Sequence, residues 1–126
     1  MNSHAVPDEV ILNFCTSVLP VFRNIMKNLE ELDHELSSHD FALHLMELGR
    51  EQMSEVADPG EKDLELMTGY IESLDYDTAE KAFFSAFAGG CVLGLVNINE
   101  VAREDFSRAL LLIEKFTQKE FNGGPI

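Results

Sequence analysis

Apolar positions recur with a helical period along almost the whole chain. Ile11, Cys15, Val18, Phe22, Ile25, Leu29, Leu32 and Leu36 follow alternating steps of four and three. That spacing places side chains on one stripe of a helix packed against others. Pro7 followed by Asp8 and Glu9 marks the start, because proline presets φ and acids favour the positive end of the helix dipole. Pro20 removes one rung of the hydrogen-bond ladder, yet the stripe keeps its phase across it. The pattern therefore predicts one long first helix, kinked near Pro20.

Four further helices follow. Ser37 to Asp40 supply cap candidates, and Phe41, Leu45, Leu48 and Val56 then form a stripe with Met46 and Met53 beside it. Asp58-Pro59-Gly60-Glu61 reads as a stop and a restart, with Asp58 at the cap and Pro59 at the first helical position. Leu64, Met67, Ile71 and Leu74 form the inner face of the third helix. Asp77 and Glu80 have the capping-box spacing and open a fourth, apolar helix; Asn97 and Glu100 repeat that spacing, with Asn99 as the alternative cap. The last helix is expected to bury Ala102, Phe106, Ala109, Leu110, Ile113 and Phe116 before Asn122-Gly123-Gly124-Pro125 ends it.

No alternation of period two competes with these stripes. Leu, Ile, Val and Phe make up 39 of the 126 residues, well above the roughly 20% below which chains stay disordered. The expected architecture is all-α: a single domain over residues 1–126, a bundle of about five helices, with flexible ends at 1–6 and 122–126.

Residues 82–98 carry no charge. The stretch is short for a membrane span, includes Ser85, Asn97 and three glycines, and has no aromatic belt or basic flank. A buried core helix is the better reading, with no membrane partner. Ala82, Ala86, Gly90 and Gly94 recur at four-residue steps and form a ridge of small side chains, suited to close helix packing or to a homodimer seam. The homodimer is expected because Phe83, Phe84, Phe87, Val92, Leu93, Leu95 and Val96 make this helix apolar on every side.

Charge is segregated. The chain carries a formal −14, and residues 28–80 hold sixteen acids against Arg50 and Lys62 while the two flanks are each neutral. On the second helix Glu47, Glu51 and Glu55 step by four, with Asp40 ahead of them, so their carboxylates share a face. Like charges so spaced cost a helix a few tenths of a kcal/mol per pair, and focused charge can repay this by steering an oppositely charged partner. Direct nucleic-acid binding is excluded on the same ground, since it depends on neutralising phosphates.

Candidate chemistry is sparse. His34, His39 and His44 are five apart, which turns each about 140° from the last on a helix. Glu31 and His34 make one Glu-x-x-His step without the second copy that di-iron bundles use. Asp75-Tyr76-Asp77 begins like a calcium loop but has Glu80 where glycine is required. Cys91 follows two glycines in mid-helix, with neither a histidine nor a helix N-terminus to activate it. No catalytic residue, metal or cofactor is expected. The absence of a basic, apolar leader points to the cytoplasm, where Cys15 and Cys91 are reduced thiols.

These features suggest a non-enzymatic regulatory protein that binds and inhibits or sequesters another protein, of the anti-activator or toxin-immunity type. Asp40, Glu47, Glu51 and Glu55 would steer a basic partner; Phe41, Met46 and Met53 would give a pliable apolar contact. The alternatives are a bundle holding a small molecule or metal cofactor in space left by the glycines of residues 89–94, and a purely structural homodimer module.

Overall fold

The computed structural model describes residues 7–29, 38–54, 60–76, 78–98 and 100–122. They form five α-helices, α1 (Asp8–Leu29), α2 (Ser38–Met53), α3 (Glu61–Ser73), α4 (Ala79–Asn97) and α5 (Phe106–Asn122), with one 3₁₀ turn at Arg103–Asp105. No strand occurs among them, so the all-helical bundle read from periodicity is the fold.

The first helix runs unbroken through Pro20. Its opening amides are satisfied by the Pro7 carbonyl, which accepts from Val10 and Ile11. Thr16 and Ser17 donate their hydroxyls back to the carbonyls of Leu12 and Asn13, one turn before the proline. Pro20 itself points to solvent while Ile11, Cys15, Val18 and Phe22 are buried, as the stripe requires. Leu32 and Leu36, the last positions of that stripe, lie outside the described residues, as do Val56, Asp58, Pro59, Asp77, Asn99 and the ends 1–6 and 123–126.

Boundaries shift where capping alone was the guide. Helix α3 starts at Glu61 with Gly60 as its cap, later than a Pro59 start would place it. Thr78 caps α4, its Oγ1 accepting from the Lys81 amide. Asn97 ends α4 instead of opening the next helix, and a loop plus the 3₁₀ turn delays α5 to Phe106.

Helix α4 is the axis of the bundle. Of its 19 residues, 13 are buried, because it packs on each of the other four helices. Around it α2 lies against α3, and α1 against α5. It is the one helix among the described residues long and apolar enough to cross a membrane, and 72% of its apolar window is covered by the protein itself. On the α1–α5 side the Phe84 ring meets Phe22 edge-on at 5.4 Å, with Phe116 and Phe121 at 5.7 and 5.5 Å.

On the α2 side, glycines let the two backbones approach. A Cβ at Gly90 would overlap the Met46 carbonyl, and one at Gly94 would lie 2.5 Å from the Arg50 carbonyl oxygen. From the facing helix, a Cβ at Gly49 would lie 2.9 Å from the Cys91 amide nitrogen. The small-residue ridge thus brings two backbones into contact within the molecule. Ala86, Gly90 and Gly94 are buried and Ala82 is half-buried; the Gly90 and Gly94 part of the ridge is covered by α2.

Candidate functional site

Helix α2 has two faces. Phe41, Ala42, Leu45, Met46, Gly49 and Arg50 turn inward, and Asp40, His44 and Glu51 turn outward. Glu47 is half-buried. Glu55 and the Glu31–His34 step lie outside the described residues. The three residues considered for an apolar contact divide: Phe41 packs edge-on against Phe83 at 4.7 Å, Met46 is completely enclosed, and only Met53 is partly accessible. A stripe drawn through Leu45 and Leu48 missed this because Gly49 carries little hydrophobic signal, yet it lies where the α4 backbone comes close.

Most of the described acids of the middle segment stay on the surface after folding. Asp40, Glu51, Glu61, Glu65, Glu72, Asp75 and Glu80 are exposed. Of the two bases in that segment, Lys62 is exposed and Arg50 is fully buried, its guanidinium 3.9 Å from Glu51 Oε1. Among the described residues, α2 and α3, which pack together, carry seven acids against two bases, whereas α1 and α5, which pack together across α4, carry four acids against five bases.

Asp63 is the inward exception. It occupies the place expected for Leu64, which is 49% exposed. Its carboxylate accepts from Asn97 Nδ2 at 2.8 Å and from the Arg103 guanidinium at 3.3 Å, tying α3 to the end of α4 and to the 3₁₀ turn. Arg108 is likewise engaged, with Asp8 on α1 and with Asp105 at 3.9 Å.

Beside this end of α4 lies a groove of about 460 Å³. Val10, Ile11 and Phe14 of α1 form one wall; Val92, Leu95, Ile98 and Val101 form the other. Glu100 is the one charged residue in its lining among the described residues. Val10 and Ile98 are 51% and 43% exposed. Sequence periodicity could not mark this feature, because it joins residues of the first helix to residues 92–101.

At the opposite end of α4 the interior is polar. Ser85 Oγ lies 2.7 Å from the Tyr76 hydroxyl and 3.1 Å from Thr117 Oγ1, and Thr117 donates to the Ile113 carbonyl. Lys81, also buried, donates to Gln118 Oε1 at 3.3 Å. Burial pushes the Tyr76 hydroxyl above its ordinary pKa of 10.0, with the Ser85 hydrogen bond opposing this. Burial also pushes the thiols of Cys15 and Cys91 from 9.0 up to about 12, so both are neutral at physiological pH and enclosed by core side chains. The space beside the glycines of residues 89–94 is filled: the α2 backbone covers Gly90 and Gly94, and Tyr70 and Leu110 cover Gly89. Among the described residues no group of three or more His, Cys, Asp or Glu is placed to hold a metal ion.

Comparison with models of protein families, with characterised proteins and with solved structures gives no match to this chain.

Proposed function

We propose that this protein is a non-enzymatic regulatory module of the cytoplasm that binds a basic protein partner and inhibits or sequesters it. The observation that supports this reading is the outward placement of Asp40, Glu51, Glu61, Glu65 and Glu72 on α2 and α3, beside a buried Arg50 and opposite an α1–α5 side on which acids and bases nearly balance. A negative field concentrated on one side orients a positive partner during approach and discourages like-charged ones. The mutual repulsion of Glu47 and Glu51 would be relieved when the partner arrives.

The test is affinity capture from a native lysate at low and high salt, using the native chain and a variant with Asp40→Lys, Glu47→Lys and Glu51→Lys as baits. A protein held by the native chain, released as salt shortens the screening length below about 8 Å, and not held by the variant supports the reading. Identical proteins on both baits would overturn it.

A further inference from the structure

We propose that the groove between α1 and the end of α4 seats the apolar anchor of a basic amphipathic helix, with Glu100 receiving a lysine or arginine from that helix. This occupant rests on the proposed preference for a basic protein, and the groove is where that protein would be gripped. Concave sites of roughly 300–1,000 Å³ with mostly apolar walls and a few placed polar groups are the usual seats for apolar groups, and the groove's 460 Å³ falls in that range. Its rim leaves two large aliphatic side chains, Val10 and Ile98, about half open to solvent.

Charge selects the occupant. Arg103 and Arg108, the bases that follow the groove in the chain, are already engaged with Asp63 and with Asp8 and Asp105. Glu100 takes part in none of these pairs, so the polar group offered to a guest is an unneutralised carboxylate. The other side of this helix end adds to it: Gly94 abuts Arg50 and Met53 of α2, and Asn97 is bonded to Asp63 of α3. The exposed acids Glu51 and Glu61 belong to those same two helix ends. A second copy of this chain would bring its own −14 to the contact, whereas an amphipathic helix with alternating leucine and lysine faces meets both the apolar walls and the carboxylates.

The test is an NMR titration of the full chain with a helical peptide carrying leucines at i, i+3 and i+7 and lysines elsewhere. Saturable shifts of the Val10, Leu95, Ile98 and Val101 methyl signals are expected. Val10→Gln with Ile98→Gln should weaken binding by about tenfold or more, as loss of a central anchor contact does, and Glu100→Gln should flatten its salt dependence. Both Val10 and Ile98 are exposed enough that these variants fold, which circular dichroism would check. Absence of binding, or equal binding of a peptide with glutamates in place of its lysines, would overturn the proposal. So would a concentration-dependent dimer that Val10→Gln and Ile98→Gln dissociate, since a second copy would then hold the groove. Binding abolished by the charge reversal on α2 but untouched by the groove variants would remove the groove and keep the acidic side. Groove binding without any salt-sensitive capture would do the reverse.

Discussion

Gly90 lies directly against the main-chain carbonyl of Met46, so α2 and α4 meet backbone to backbone. No side chain at position 90 can be accommodated by a rotamer change, because the obstacle is a peptide group within a helix. Gly90→Ala must push the two helices apart and open the seam that holds Leu45, Met46, Cys91 and Gly94. A loss of about 3 kcal/mol or more is expected, a large part of the roughly 5–15 kcal/mol that holds a domain of this size together. Gly69 is the control: it lies in α3 with nothing within 4 Å of an added methyl, so Gly69→Ala should stabilise by about 0.5–1 kcal/mol through helix propensity alone. Thermal melting of the two variants should move in opposite directions.

The same contact shows what the sequence made legible. The ridge Ala82, Ala86, Gly90 and Gly94 was visible as four-residue steps, and so was the need for a close neighbour. Which neighbour was not visible, because Gly49 contributes little apolar signal and leaves the α2 face looking like Leu45 and Leu48. The long-range stripes of α1 and α5 read well because large residues dominate them. Helix α3 read less well, since burial of Asp63 depends on Asn97 and Arg103, 34 and 40 positions away. Segregation of charge was plain from composition by segment; the groove was not, being built from residues about ninety positions apart.

Ser85 joins α4 to α5 and to the chain after α3 through Thr117 and Tyr76. Removing its hydroxyl leaves buried Thr117 and half-buried Tyr76 each short of a bond, at a cost of about 1–3 kcal/mol. Ser85→Ala should therefore lower the denaturation midpoint. A double-mutant cycle with Tyr76→Phe should return a coupling of about 1 kcal/mol, whereas strict additivity would mean that the two hydroxyls do not bond in solution.

Asp63 should control the segment that follows α4. With Asp63→Ala, Arg103 and Asn97 lose their shared acceptor, and residues 100–105 keep the main-chain bonds of Glu100 and Val101 to Leu95 and of Asp105 to Ala102, with the Arg108–Asp105 pair. Amide exchange in that segment should accelerate by about tenfold or more, while amides of the α2–α4 seam retain the protection of global unfolding. A uniform acceleration across the chain would show instead that Asp63 supports the whole fold.

The buried thiols set the response to alkali. Cys15 and Cys91 are raised from 9.0 to about 12 chiefly by desolvation, which penalises the thiolate. Below pH 9 the thiols are neutral in both folded and unfolded chains, and their contribution to stability is fully present. Between pH 9 and 12 the unfolded chain releases its thiol protons while the native core retains them. Stability is therefore lost as pH rises through this window, by at most about 1.4 kcal/mol per pH unit for each thiol. The raised Tyr70 and Tyr76 hydroxyls act in the same direction above their ordinary 10.0. Urea midpoints measured from pH 7 upward should be flat to about pH 9 and then fall. Cys15→Ala should flatten that fall even though it costs core packing at neutral pH, because the slope reports the proton and not the cavity. An unchanged slope in this variant would mean that the Cys15 thiol ionises in the native protein, and that water reaches the contact between α1 and α4.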